Sequence, residues 1–186
     1  MHAEHAGAPT TEPGDDGPPR GLMIAAVALG VVAVAGVFAF ASSRQTPPAP
    51  VAIGAVPAPD AQSQACQALL ASLPDRLGEY PRAVTADPTP PGTAAWRTDS
   101  GPIIARCGLG RPAEFIVGAP LQMVNDVQWF RLDDPDAPSS TWLCVDRAAY
   151  VALTLPSGAG PGPIQAMSGV IERTMPAVPI RPGPAR

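Results

Sequence analysis

The chain has 186 residues, 26 prolines, 18 glycines and a formal charge of −4, and its 12 basic residues are all arginine. So much Pro and Gly lowers the expected share of regular structure. A weakly acidic chain with scattered arginines is a poor nucleic-acid binder, because phosphate neutralisation supplies most of that affinity.

Residues 1–20 hold Glu4, Glu12, Asp15 and Asp16 against Arg20 and lack aromatic and β-branched aliphatic side chains, which predicts a disordered tail. His2 and His5 flank Glu4, but an unstructured tail has nothing to hold metal ligands in place.

Gly21–Ala41 has no charge and no strongly polar side chain. About 20 apolar residues at 1.5 Å rise span a hydrocarbon core of roughly 30 Å. Without water there, the backbone must close its own hydrogen bonds as a helix. Ala39-Phe40-Ala41 resembles a small-x-small cleavage site. A signal h-region is shorter, about 7–15 residues, and follows a basic n-region, whereas this tail is acidic apart from Arg20. Residues 21–42 therefore read as an uncleaved anchor. Arg20 and Arg44 stand on opposite sides of it and barely orient it. The cysteines beyond it favour a cytoplasmic tail and an extracytoplasmic remainder. Ala26/Gly30 and Ala35/Ala39 have the small-xxx-small spacing of closely packed membrane helices, which the abundance of both residues also produces by chance.

Residues 43–61 contain Pro47, Pro48, Pro50, Pro57 and Pro59 and read as a linker. Extended at about 3.1 Å per residue it reaches roughly 50 Å from the membrane; collapse along a surface is the other option. Residues 62–178 suffice for one core. Ser63 suits an N-cap, and Cys66, Leu69, Leu70, Leu73 and Leu77 follow an amphipathic stripe that Pro74 ends. Tyr80–Gly92 is a proline-punctuated connection. Strands are expected at Pro102–Cys107, Ala113–Val117, Asn125–Leu132, Thr141–Val145 and Ala149–Leu155, with a turn-rich loop at Asp133–Ser140. Pro163 suits the first turn of a second helix, with Ile164, Met167, Ile171 and Met175 on one side. Residues 179–186 form a second disordered tail. The pattern is α+β: a small, mostly antiparallel sheet of four or five strands with two helices packed on it.

Missing residue types narrow the chemistry. Residues 62–178 hold no histidine and no lysine, so Ser-His-Asp, Cys-His, Ser-Lys, Schiff-base and P-loop chemistry lack their essential group. No catalytic residue, cofactor or metal site is assigned. Asp133, Asp134 and Asp136 are the densest acidic cluster, but they lack the alternation and closing glutamate of a calcium loop. Cys66, Cys107 and Cys144 stand at long intervals, unlike zinc ligands. Outside a membrane they imply one disulfide and one thiol left over, with three pairings possible. Cys66–Cys107 would tie the first helix to the first clear strand; Cys107–Cys144 would cross-link two strands. The first is preferred, leaving Cys144 as a buried thiol between Leu143 and Val145. Trp96, Arg106, Trp129 and Arg147 are the candidate binding residues, although tryptophans in so small a domain usually pack in the core.

The strings Cys66-x-x-Leu-Leu, Leu73-Pro74, Ala94-Ala95-Trp96, Arg106-Cys107-Gly108, Val124-Asn125-Asp126-Val127-x-Trp129 and Asp146-Arg147 resemble the actinobacterial domain-of-unknown-function 3515 family of membrane-anchored extracytoplasmic proteins. The resemblance covers nearly all of 62–178 and the anchor before it. In the family pattern glycine stands where this chain has Asp126, and no cysteine matches Cys144. Those departures favour Cys66–Cys107 as the pair. The family brings no activity with it. The expected function is a single-pass envelope protein presenting a domain for binding or scaffolding, with the membrane and an envelope protein or cell-wall component as partners. The alternative is a carbohydrate-binding module or a carboxylate-based envelope enzyme.

Overall fold

The computed structural model describes residues 20–43, 47–132 and 137–185, the side chains of 41–43 excepted. His2, His5, Arg44, Asp133, Asp134 and Asp136 lie outside the described residues. The chain divides into two compact units, Met1–Pro48 and Ala49–Arg186.

The first unit contains one helix, α1 (Arg20–Ser43). Its 24 residues reach about 36 Å at 1.5 Å per residue, enough to cross a hydrocarbon core of about 30 Å. Leu22, Val27, Val32 and Val37 are all exposed and point in different directions around the axis, so the helix is apolar around its circumference rather than along one stripe. That pattern fits a membrane-crossing helix or a signal segment.

The second unit begins with α2 (Gln64–Ala71), capped by Ser63, whose side chain accepts from the Cys66 N–H at 3.3 Å. Next come β1 (Arg76–Leu77) and β2 (Tyr80–Pro81), a two-stranded ribbon. Six further strands follow: β3 (Thr93–Thr98), β4 (Gly101–Leu109), β5 (Leu121–Val124), β6 (Val127–Leu132), β7 (Ser139–Cys144) and β8 (Tyr150–Pro156). They form one sheet in the order β3-β4-β8-β7-β6-β5, every pair antiparallel. Helix α3 (Gly162–Thr174) carries Pro163 in its first turn.

Six strands replace the expected four or five. Strand β3 lacks a β-propensity signal because Ala94 and Ala95 fill its centre. Strand β5 is a four-residue edge, and Asn125-Asp126, expected within a strand, is the two-residue turn between Val124 and Val127. Asn125 takes φ 52° there, a left-handed conformation that asparagine tolerates. Ala113–Val117 forms no strand: only Ile116 makes a bridge, to Gly183, while Phe115 is buried as a plug.

Both faces of the sheet are apolar, and this decides what covers them. On the first face Trp96, Ile103, Trp129, Val151 and Leu153 meet Leu69 of α2 and Met167 and Ile171 of α3. On the second face Ala95 and Ile104 meet Val51 and Ile53, and further along Phe115 packs with Phe130, Leu143 and Ala152. Among the described residues, neither second-face cluster contains a residue of α2 or α3. Their cover comes from irregular chain at both ends of the unit, so 49–61 and 179–185 belong to it rather than forming a free linker and tail. The Val51 N–H donates to Val84 O at 2.8 Å, and Gly183 N–H to Phe115 O at 2.7 Å. Prolines suit such cover, since these stretches follow extended paths with few ladder bonds to lose.

Cys66 and Cys107 are joined, with Cα atoms 5.6 Å apart and a sequence separation of 41. The bond fastens α2 to β4. Around it the backbone is too close for side chains: a Cβ on Gly92 would meet Cys107 O at 2.7 Å, and one on Gly108 (φ +87°) would collide with the Ala61 backbone. Gly108 also lies at the register shift between Cys107 and Leu109, where its carbonyl accepts from Asp60 N–H at 3.1 Å. Replacing Cys66 and Cys107 together by serine should lower unfolding free energy by roughly 3–4 kcal/mol, the loop-closure contribution of a crosslink of this span. Urea titration of the full chain measures it; an unchanged midpoint would mean that the bond constrains nothing.

Candidate functional site

Residues across the second face line up in register. Arg106 of β4 is opposite Ala152 of β8, which is opposite Leu143 of β7. The neighbouring row runs Ile104, Thr154, Thr141, Leu132. Alternation fixes this: Ile103, Ala105 and Cys107 point to the helix side, so Ile104 and Arg106 must point to the other. Over most of these two rows lies a hollow of about 390 Å³ walled by Val56, Pro57 and Leu109. A second hollow of about 300 Å³ runs between Gly54–Val56 and the prolines 88, 90 and 91. Val56 and Arg106 line both.

Arg106 is the only charged side chain lining either hollow among the described residues. Its Nε is buried without a hydrogen-bond partner, and burial pushes the guanidinium below its ordinary range. The two threonine hydroxyls on the floor bond each other at 3.0 Å, leaving little competition for a ligand's polar group.

The other sequence candidates are part of the core. Trp96 is 0% exposed, donates Nε1–H to Pro74 O at 3.2 Å, and lies beneath the Arg82 guanidinium at 4.9 Å. Trp129 is likewise 0% exposed and donates to Ser168 Oγ at 2.9 Å, while that hydroxyl donates to Ile164 O. Arg147, 4% exposed, pairs with Asp146 at 2.8 Å and donates from Nη2 to Asp126 O at 2.8 Å. The structure therefore does not gather the four into one surface; Arg106 alone reaches a hollow. Sequence reasoning missed Val56, which it left in a linker, and Asp146, whose adjacency to Arg147 was the available signal.

Trp142 is the half-buried tryptophan. It lines a separate hollow of about 350 Å³ on the helix side, with Gln122, Gln165 and Ser140, and Arg131 stacks over its ring at 5.5 Å. None of these hollows brings two carboxylates together; Asp60 alone lines one, beside Arg111 and Arg181.

Cys144 is buried, and its thiol donates to Asp146 Oδ1 at 3.5 Å. Burial first, then the Asp146 charge, pushes the thiol far above its ordinary value. The protein is thus a disulfide-closed α+β domain following an apolar helix long enough to span a membrane, with a second-face groove whose arginine has no ion pair among the described residues. Residues 26–180 match the family model described as Protein of unknown function (DUF3515), and the chain belongs to that family. No curated protein and no solved structure matches it.

Two tests follow from these environments. Arg147→Ala leaves Asp146 buried and unpaired and should cost about 3–5 kcal/mol, whereas Arg106→Met removes a cation with no partner and should change stability by less than about 1 kcal/mol. Denaturant melts of the two variants side by side give the comparison; similar losses would contradict the assigned environments. Cys144 should resist iodoacetamide in the folded chain even at alkaline pH. Below the ordinary thiol pKa of 9.0 it is neutral in folded and unfolded chain alike. Above that value only the unfolded chain ionises, so its contribution to stability falls as pH rises. Rapid native alkylation of Cys144 would refute its burial.

Proposed function

We propose that the chain is a single-pass membrane protein whose Ala49–Arg186 unit is presented outside the membrane as a non-catalytic binding domain, with the Arg106 groove as its ligand site. The observation that carries this reading is the Arg106 guanidinium: half-buried, without a hydrogen bond or ion pair among the described residues, and lining two adjoining apolar hollows. A cation desolvated without compensation destabilises the fold; a ligand anion removes that penalty. The helix Arg20–Ser43 supplies the anchor, and the Cys66–Cys107 bond fits an oxidising compartment.

A second reading rests on Trp142. Its half-exposed ring with Gln122, Gln165 and Ser140 has the amphipathic character of a sugar-binding subsite. It is the weaker of the two, because this is a single aromatic ring already stacked by Arg131.

Orientation and anchoring are tested together. Val56 is 47% exposed at the groove, and Val56→Cys in the full chain should react with a membrane-impermeant maleimide on intact cells. The protein should also stay in the membrane fraction after alkaline carbonate extraction. Labelling only after permeabilisation would reverse the orientation; release by carbonate would mean that the helix is not retained as an anchor.

A further inference from the structure

The geometry points to the Arg106 groove as a capture site for the carboxyl terminus of an extended, apolar peptide. This deepens the binding reading above and rests on it.

The charge in the groove sets the ligand's charge. One guanidinium with no acidic neighbour among the described lining residues calls for one anion, and a planar carboxylate can take two parallel N–H bonds from it. The walls set the ligand's body: Val56, Leu109, Leu132 and Leu143 on one side of Arg106 and prolines 88, 90 and 91 on the other offer contact area and almost no side-chain hydrogen bonding. The Thr93 hydroxyl already donates to Pro90 O at 2.6 Å and the Thr89 hydroxyl is engaged with Thr85 and Ala86, so neither offers a free donor to the carboxylate.

The backbone of the wall then separates a peptide from other apolar anions. Val51 is paired on both sides of its peptide, through its N–H to Val84 and its carbonyl from Ala86, and Asp60 donates to Gly108. Between them, from 52 to 57, no backbone group bonds another backbone group among the described residues. Gly54, Ala55 and Val56 of this stretch border the groove directly. Free N–H and C=O groups beside an apolar trough are what an added strand requires. A fatty-acid anion would satisfy Arg106 and the walls but leave this backbone unmatched; a peptide ending in a carboxylate satisfies all three. The opposite wall is mostly proline, which has no N–H to donate, so the incoming strand has one main side to pair with and Arg106 sets its polarity.

The test uses the full chain in phosphatidylcholine nanodiscs and dye-labelled pools of pentapeptides built from Ala, Val and Leu. One pool ends in a free carboxylate, a matched pool in an amide, and oleate serves as a lipid competitor. Anisotropy should show the acid pool binding with a low-millimolar or tighter dissociation constant and the amide pool about tenfold weaker, the difference expected for one charge-assisted pair. Arg106→Gln should abolish that difference, while Arg106→Lys, a point charge without the fork, should keep part of it. The Arg106 side chain makes no hydrogen bond or ion pair among the described residues, and retained disulfide mapping and circular dichroism keep the variants interpretable. Equal binding of acid and amide, no binding in the millimolar range, or an acid preference surviving in Arg106→Gln would overturn the proposal. So would tight Arg106-dependent oleate binding that displaces the peptides, which would make the groove a lipid site. Any of these results alongside external labelling of Val56→Cys removes the peptide but leaves the anchored domain standing; internal labelling removes the reading itself.

Discussion

Three stretches of chain converge on the Asp146–Arg147 ion pair, and none can leave it without exposing a buried charge. The Asp146 carboxylate accepts from the Gln128 N–H at the start of β6 as well as from Cys144. Arg147 reaches the turn before β6 through Asp126 O. The Asp146 carbonyl accepts from Val178 N–H, and Arg147 bridges Ala177. The pair is weak evidence for net stability, because desolvation offsets much of the attraction. What it supplies is position: the β5–β6 hairpin, the exit of β7 and the returning C-terminal segment share one set of partners. Phe115 can then be closed in by Gly183, and the second face receives its cover.

Much of the fold was legible where side-chain period and burial agree. Val151, Leu153 and Leu155 alternate with Tyr150, Ala152 and Thr154, and the structure places the first set in one face cluster and Tyr150 and Ala152 in the other. Ser63, Pro163 and the Ile164–Met175 stripe act through local chemistry and need no knowledge of distant chain. Legibility failed where a residue's role depends on a remote partner. Ala94 and Ala95 carry no strand signal alone; they pair with Ala105 and Ile104, and Val51 and Ile53 help cover that face. The prolines of 47–59 suggested a spacer because a sequence does not show that a sheet has a second apolar face to clothe. Arg147 stood among the candidate binding residues for the same reason: its burial comes from a carboxyl-terminal return that no periodicity announces.

The candidate site is less legible still. Arg106-Cys107-Gly108 sends three consecutive residues to three tasks: one into the groove, one into the bond with α2, and one into the close approach of Asp60 and Ala61. The strand's alternation separates the first two, and the positive φ of Gly108 permits the third. The groove wall at Val56 is therefore held against the same strand that supplies the groove's charge. A composition argument sees only a stray arginine beside a cysteine; the register makes it the floor of a trough.

The strand order also divides the chain in time. In the six-stranded sheet β3–β4, β5–β6, β6–β7 and β7–β8 each join sequence neighbours, and only β4–β8 does not. Local pairings close short loops and form early; the remote one must wait for the loop between Leu109 and Tyr150 to be gathered. The first half, up to Leu109, holds both crosslinked cysteines, α2 and the segment that walls the groove. The second half is a four-stranded meander that docks through one seam. As the chain emerges amino terminus first, its groove wall and its crosslink precede the meander that supplies the rest of the floor, so the site is finished by assembly of two halves rather than carried by either.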